Sequence, residues 1–434
     1  MGQNTNVTQL GRGLTVLAFV LCATEVSAQA RPSACDITSQ NLYVRSQLLN
    51  LYLWRIPLVV DPARFDNPQG YLDAVRRLPD DARFSYVTSA AASTAFYSDS
   101  QFIGFGFSSR EEPTAVVILQ VFPDSPAADA GLERGARIEE IAGRSVADLA
   151  ATGELASVWG PSVEGISLAI AFRTTDGRQR RAQMVKRPVT IPTVSQRHVF
   201  SLDGRRVGYL HFRNFVRPSV AALDDAFADF AAQGVNELIL DLRYNGGGLV
   251  DVAQHLGSLI GGRLTQGQVF ASSIHNANNT SLDKTIRFTA IGGLDLSRLT
   301  VIATQATASA SELIVNGLRP FMPVVVIGDR TYGKPVGQYL IEFCDKVLAP
   351  VSFRMVNADG DGQYFDGIPA TCAVSDDPSR PLGDPTEASL AEALHFVRTG
   401  RCRSSGPLST SGLGVMRRAA DDAATGWMSL LNAH

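Results

Sequence analysis

Residues 301–338, which read VIATQATASASELIVNGLRPFMPVVVIGDRTYGKPVGQ, hold the strongest structural signal in the chain. The opening run at 301–303 is short, apolar and partly β-branched, which predicts a buried strand. Small residues then lead into an amphipathic run at 313–318, which predicts a helix. A second apolar run at 324–328 predicts another buried strand. The segment is therefore expected to fold as a strand–helix–strand unit.

A serine and a lysine stand at the two ends of this unit. Ser309 lies where the predicted helix begins, and the free N–H groups of a helix N-terminus can stabilise an oxyanion. Lys334 follows the second strand, and a buried lysine with a lowered pKa can activate a serine hydroxyl. Taken singly, Ser309 could be a helix N-cap and Lys334 a solvated turn residue.

Together the two residues carry a family resemblance. The pattern A-x-A-S-A-S-E around Ser309, then Gly-Lys at Lys334, then Gln338, resembles the carboxyl-terminal processing (tail-specific) serine peptidases. The resemblance implies that Ser309 is the nucleophile, Lys334 the general base and Gln338 an orienting amide. It also implies a reaction by acyl transfer, without a cofactor and without a metal.

A second signature of that family, D-L-R-x-N-G-G-G, lies at 241–248 after an apolar run. The resemblance implies oxyanion-binding amides near Gly246 or Gly247, with the amide of Ala310 as the other donor. Asp241 and Arg243 are expected to be structural and to pair behind the glycine turn.

A third segment resembles the PDZ domains of bacterial proteases. It comprises an aromatic–glycine loop and, after a strand, the run DSPAADAGL at 124–132; the loop residues are Phe102, Ile103, Gly104, Phe105, Gly106 and Phe107. The resemblance implies that the loop amides cradle a peptide carboxylate and that the aromatic side chains shape an apolar pocket. For the loop alone, an ordinary hairpin with spacer glycines stays open.

The chain has 434 residues, 45% of them apolar, and a net charge of −3 without a basic stripe, so no nucleic-acid partner is expected. We predict a multidomain α+β protein with an N-terminal helical cap at 35–99, a PDZ domain at 100–187, a core at 190–400 and a tail at 401–434. The resemblance implies that the core is an α/β protease core of crotonase/Clp-like type.

Residues 1–28 have the pattern of a secretory signal peptide: Arg12, an apolar run at 14–21, and Val-Ser-Ala ending at Ala28. This pattern predicts export to the periplasm or the medium. Lipidation at Cys22 is disfavoured because Leu21 is bulky. No later run reaches the roughly 18 apolar residues of a membrane span, so none is expected in the mature chain.

Four cysteines remain after such a cleavage: Cys35, Cys344, Cys372 and Cys402. An even number in an exported chain predicts two disulfides, with three possible connectivities. Our hypothesis pairs Cys344 with Cys372, which flank neighbouring strands, and Cys35 with Cys402, which lie at the two ends of the folded region.

The expected partners are protein or peptide substrates, with a homo-oligomer possible. The six histidines lack metal-ligand spacing, and a calcium-like start at 357–362 has Ile368 where a glutamate is needed. A different class of function is a catalytically silent PDZ-bearing peptide-binding or scaffold protein. The presence of both Ser309 and Lys334 argues against it.

Overall fold

The computed structural model describes residues 31–403. The predicted signal peptide at 1–28 and all but the first residues of the predicted tail lie outside the described residues. None of the helices between residues 31 and 403 has the length and hydropathy that a membrane span requires.

The N-terminal region combines three helices with one strand. Its elements are α1 (Ile37–Leu51), α2 (Pro68–Val75), β1 (Tyr86–Ser89) and α3 (Ala90–Asp99). Helix α2 begins where sequence rules predict, with the Asn67 side chain accepting from the Gly70 amide at 2.8 Å and Pro68 in the first turn. Apolar side chains of α1 and α2 pack against Val336 and Leu348 from much later in the chain. The region is therefore attached to the core.

The middle part of the chain is a small antiparallel sheet domain with two short helices. Its elements are β2 (Gln101–Gly104), β3 (Phe107–Glu112), β4 (Ala115–Val121), α4 (Pro126–Asp129), β5 (Arg137–Ile141), β6 (Arg144–Ser145), α5 (Val146–Ala151), β7 (Ser167–Arg173), β8 (Gln179–Val185) and β9 (Arg187–Thr190). The sheet order is β3-β4-β5-β7-β8, with β6 beside β5, so β3 is an edge strand. Strands β2 and β9 pair with each other where the chain enters and leaves this domain.

The remaining elements form the core. They are β10 (Val194–Leu202), β11 (Arg205–Phe212), α6 (Ser219–Ala232), β12 (Glu237–Asp241), α7 (Val250–Gly261), β13 (Val269–His275), β14 (Lys284–Arg287), β15 (Leu299–Ala303), α8 (Ala310–Leu318), β16 (Val324–Gly328), β17 (Val336–Gln338), β18 (Ile341–Phe343), β19 (Lys346–Ala349), β20 (Val351–Val356), β21 (Cys372–Ala373) and α9 (Ala388–Thr399). The strand–helix–strand unit predicted within 301–338 is confirmed as β15, α8 and β16.

The main sheet of the core has the order β10-β11-β12-β15-β16-β21, and its pairs are parallel from β11 onward. Both faces of the parallel strands are apolar, as a sheet covered on both sides requires. In β12, Leu238 and Leu240 pack under α6, α7 and α8, whereas Ile239 faces α9. The predicted mixed α/β architecture is confirmed.

Two smaller sheets complete the core. One has the order β14-β13-β20-β17, and the other joins the N-terminal strand to the core in the order β1-β19-β18. In the second sheet Tyr86 of β1 lies opposite Ala349 of β19. The N-terminal region therefore completes a sheet of the core.

The predicted disulfide pairing is wrong. The structure joins Cys35 to Cys344 and Cys372 to Cys402, with Cα–Cα distances of 5.8 Å and 5.5 Å. Because the β18–β19 hairpin pairs with β1, its turn at Cys344 lies beside the N-terminal region. Strand β21 lies at the sheet edge, so Cys372 meets Cys402, which lies three residues beyond the end of α9. Nearness in sequence was a poor guide because the sheet order decides which segments are neighbours.

The Cys372–Cys402 disulfide should stabilise the attachment of α9. Replacing both cysteines with serine is expected to lower the free energy of unfolding by roughly 3.5 kcal/mol, the loop-entropy value for a closed loop of this length. Guanidinium denaturation of the oxidised proteins measures the loss. Non-reducing peptide mapping is the control, and a Cys344–Cys372 peptide in the native protein would contradict the connectivity.

Candidate active site

Three loops meet at one edge of the main sheet, where the parallel strands β12, β15 and β16 end. Because these strands run in the same direction, their carboxyl ends share this edge. The loops carry Gly246 and Gly247, then Ser309, then Lys334. All of these residues line one cavity, together with Ala310 and Gln338. The structure thus brings together every residue of the predicted catalytic and oxyanion sets.

Ser309 has a backbone conformation that is rare outside glycine. Its φ is +56° and its ψ −114°, and it directly precedes the first residue of α8. Its amide donates to the Glu312 carboxylate at 2.9 Å, while the residue itself lines the cavity. A strained backbone of this kind persists only when its surroundings hold it, and such residues cluster at functional sites.

The glycine turn packs directly against the serine. A Cβ atom at Gly247 would lie 2.8 Å from both the Ala310 amide nitrogen and the Ser309 Cβ, so only glycine fits there. Asn245 binds the two segments together, because its carbonyl accepts from the Ala308 amide at 3.0 Å and from the Ser311 hydroxyl at 3.0 Å. This close approach brings the amides of the turn next to the start of α8.

The amides of Gly246 and Gly247, the two candidate glycine donors, differ in whether they are already hydrogen-bonded. The Gly247 amide donates to the side-chain oxygen of Asn245 at 2.9 Å, so it is already engaged, and this disfavours the oxyanion role predicted for it. Within residues 31–403, nothing accepts from the amides of Gly246 and Ala310. The geometry therefore favours Gly246 and Ala310 as the free donors.

Lys334 is buried, with 7% of its surface exposed. Its Nζ donates to the Gln338 side-chain oxygen at 2.6 Å. Burial lowers the pKa of Lys334 to about 8, against the opposing effect of the nearby carboxylates of Asp81 and Glu312. A sizeable fraction of this amine is therefore neutral slightly above neutral pH, as a general base requires.

Gln338 is held so that only its oxygen can face the lysine. Its Nε2 donates to the carbonyls of Phe84 and Ala349, each at 2.7 Å. Both protons of the amide nitrogen are used in this way, so the side-chain oxygen is left as the acceptor for Lys334. Phe84 belongs to the N-terminal region, which thus contributes to the site.

Glu312 is a central residue whose role the sequence analysis missed. Its fully buried carboxylate accepts from the Ser309 amide at 2.9 Å, the Thr331 hydroxyl at 2.5 Å, the Gly333 amide at 2.6 Å and the Lys334 amide at 2.8 Å. Burial raises the pKa of Glu312, and these donors oppose that rise. The S-x-x-E capping-box pattern was the available signal.

The pairing predicted behind the glycine turn is confirmed. Arg243 and Asp241 are fully buried and form an ion pair at 2.7 Å. Arg243 also contacts Glu387 at 2.9 Å and Asp376 at 3.0 Å. From the middle domain, Arg134 donates to the hydroxyl of Tyr244 at 2.7 Å. Tyr244, two residues before Gly246, is therefore tied to the middle domain.

The aromatic–glycine loop leads directly into edge strand β3, which begins at Phe107. Residues Phe102, Phe105 and Phe107 are buried in hydrophobic cores, so they support the loop from below. The expectation that these side chains shape an apolar pocket stays a prediction. Ile103 and Gly104 belong to β2, and Gly106 has a φ of +92°, with no room for a Cβ beside Ser125.

In the part of the chain that the structure describes, one group of side chains has the proximity of metal ligands: Cys372, Glu392 and Cys402. The two cysteines form a disulfide, so their thiolates are not available to a metal.

The core is similar in sequence to known peptidases. The sequence profile of peptidase family S41 matches residues 206–373, which include all three loops of the site. Two curated relatives are the chloroplastic C-terminal processing peptidase of Tetradesmus obliquus, 28% identical over 246 residues, and the carboxyl-terminal-processing protease of Synechocystis sp., 27% identical over 244 residues. Residues 206–373 of the chain are thus similar in sequence to peptidase family S41.

These matches cover 53% and 56% of this chain, and 50% and 55% of the two relatives. The chain therefore spans about half the length of the curated relatives that it matches. An S41 protease structure from Bacteroides fragilis superposes with a TM-score of 0.65 at 24% identity, over 82% of this chain and 96% of that one. The photosystem II D1 C-terminal processing protease gives 0.51 at 19% identity, over 79% and 94%. These likenesses extend the shared fold beyond residues 206–373.

The Glu312 carboxylate should be essential for the geometry of this candidate site. Glu312→Gln is expected to lower the free energy of unfolding by about 3 kcal/mol, because the new NH₂ group would face N–H donors inside the core. Urea denaturation measures the loss. Glu342→Gln makes the same change at an exposed position of β18 and is the control. A loss no larger than that of the control would contradict the role.

Proposed function

We propose that the chain is a serine endopeptidase of the C-terminal-processing type, in which Ser309 and Lys334 form the catalytic dyad. The observation that carries this proposal is the buried Lys334 amine, which lines the same cavity as Ser309 and has a pKa lowered to about 8 by burial. The names of the S41 relatives agree with this activity. The core would be of the crotonase/Clp-like type.

The positions of the donors and acceptors support the following reaction. Neutral Lys334 takes the proton of Ser309 as the serine oxygen attacks the peptide carbonyl, and the amides of Gly246 and Ala310 bind the oxyanion. The lysine then gives its proton to the leaving amine, and the C–N bond breaks. Water, deprotonated by Lys334, cleaves the resulting ester. This returns Ser309 and releases the new carboxyl terminus.

Gln338 would restrict the lysine amine to one position. Since both protons of its amide nitrogen go to carbonyls, its oxygen accepts one proton of Lys334 in a fixed direction. The lone pair or remaining protons of the amine then point into the cavity. This is the orienting role expected of the third member of a catalytic constellation.

Ser309→Ala and Lys334→Ala should each reduce kcat/KM for peptide cleavage about a thousandfold or more, while the protein stays folded. Lys346→Ala, at the hairpin beside β1, removes a lysine that is not in the cavity and is the control. Cleavage that survives in both dyad variants, with unchanged thermal unfolding, would contradict the dyad.

The pH dependence gives a separate test. Lys334 acts as a base only when it is neutral, so kcat/KM should rise with pH and reach half its maximum near pH 8. The profile is measured between pH 6 and 10 with one peptide substrate. Activity that is already maximal at pH 6 would point to a carboxylate or histidine base.

We further propose that the middle domain is a PDZ domain, bounded near residues 100 and 187, that binds substrate C-termini. Strand β3 has a free edge to which a peptide strand could add, and the loop of Gly104 to Gly106 lies at its start. The Lys186 ammonium lies 5.1 Å from the centre of the Phe105 ring beneath that loop. Its positive charge would favour a bound carboxylate.

A peptide with a free C-terminus should bind the full-length Ser309→Ala protein at least about tenfold more tightly than its C-terminally amidated form, because a charge-assisted contact is lost. The Ser309→Ala background prevents cleavage during the fluorescence anisotropy measurement. Equal dissociation constants for the two peptides would contradict C-terminal recognition.

We also propose that the protein is exported. The two disulfides support this, since disulfides persist in oxidising compartments.

A further inference from the structure

We propose that Asp81, a buried carboxylate in the N-terminal region, is a positioning residue for Lys334. Asp81 lies outside the segment that matches the S41 profile. The inference rests on the proposed function of the Ser309–Lys334 pair. On this inference, the N-terminal region helps to position Lys334, the proposed general base.

Asp81 is fully buried and accepts three hydrogen bonds. They come from the Ser85 amide at 2.8 Å, the Ser85 hydroxyl at 2.6 Å and the Tyr52 hydroxyl at 2.6 Å. The Ser85 hydroxyl also accepts from the Val351 amide, and the Tyr52 hydroxyl accepts from the Arg77 amide, each at 2.9 Å. The hydroxyl protons are therefore directed at Asp81. Burial raises the pKa of Asp81, and these three donors oppose that rise because they favour the ionised carboxylate.

These hydrogen bonds close the turn at 81–85 and lead to the lysine. The Phe84 carbonyl within this turn accepts from the Gln338 amide nitrogen at 2.7 Å. The Gln338 oxygen in turn accepts from the Lys334 amine at 2.6 Å. Three residues thus connect the carboxylate to the amine: Ser85, Phe84 and Gln338. If the turn loosens, the Phe84 carbonyl moves and Gln338 loses one of its two anchors.

The charge of Asp81 also acts on the lysine directly. Asp81 and Glu312 are the two carboxylates whose charge favours the ammonium form of Lys334 against the effect of burial. The other titratable groups that line the cavity are Tyr86, Tyr97 and Tyr364, each with a pKa raised by burial and therefore neutral at pH 7. Besides the Lys334 ammonium, the Arg76 guanidinium is a cationic group whose charge acts on Asp81. Removing the charge at position 81 should therefore make the amine easier to deprotonate.

The test measures the titration of Lys334 without relying on peptidase activity. The sequence contains only four lysines, at positions 186, 284, 334 and 346, so competitive acetylation followed by peptide mass spectrometry can report each one. Exposed Lys284 serves as the internal reference. In Asp81→Asn, the labelling midpoint of Lys334 should move to lower pH by about half a unit to one unit. The acidic limb of kcat/KM should move with it.

Asp80→Asn is the matched control, because it removes the same charge from the adjacent, exposed residue that pairs with Arg77. Asp80→Asn should leave unchanged both the labelling midpoint of Lys334 and the acidic limb of the pH profile of kcat/KM. If Asp81 had a purely structural role, Asp81→Asn would lower kcat/KM without shifting the labelling midpoint of Lys334 or the acidic limb. An Lys334 midpoint in Asp81→Asn equal to that of the control would overturn the proposal.

Ser85→Ala tests whether the hydrogen bonds of the turn at 81–85 position Gln338, because it removes the Ser85 hydroxyl and keeps the Asp81 carboxylate. It should reduce kcat/KM about tenfold, because Gln338 is less firmly held, and should not move the limb to lower pH. If Asp81→Asn does not fold, Ser85→Ala decides alone, and an undiminished kcat/KM would overturn the proposal. A shifted Lys334 midpoint in a protein that cleaves no peptide would instead contradict the proposed function and leave the coupling intact.

Discussion

The Glu312 carboxylate is the constraint on which the site depends. It joins the start of α8, through the Ser309 amide, to the loop after β16, through Thr331, Gly333 and the Lys334 amide. Because Glu312 is fully buried, water cannot replace any of these bonds, and each donor would pay its full desolvation penalty if the carboxylate left. The relative position of Ser309 and Lys334 is thus set by a group that touches neither the serine hydroxyl nor the lysine amine.

A second buried charge fixes the other side of the cavity. Arg243 contacts Asp241, Asp376 and Glu387, and so connects the end of β12 with the N-terminal cap of α9. Breaking such a network is costly, because it would leave an uncompensated charge in the core. Arg134 of the middle domain reaches the same network through Asp376 at 3.0 Å. The glycine turn is therefore held from behind by the sheet, by a helix and by the neighbouring domain.

The sequence allowed accurate prediction where the signal was local. The strands and helix within 301–338, and the pairing of Asp241 with Arg243, follow from apolar runs, turn residues and short spacing. The disulfide connectivity could not be predicted, because it depends on β1 joining the β18–β19 hairpin. The engagement of the Gly247 amide by Asn245 and the burial of Phe105 and Phe107 are details of packing. The role of Asp81 could not be predicted for a similar reason, since its link to Lys334 passes through residues far apart in the chain.

Burial alone would not make Lys334 the best base, and the carboxylates around it explain why. Burial favours the neutral amine, which can accept the serine proton, but a strongly lowered pKa would also make the amine a weak base. The carboxylates of Asp81 and Glu312 oppose this effect. On the proposed mechanism, the ammonium form appears only after the proton has moved, as the tetrahedral intermediate develops. Carboxylates that stabilise this ammonium therefore act more strongly on the transition state than on the neutral resting state, and such a difference is what accelerates a reaction.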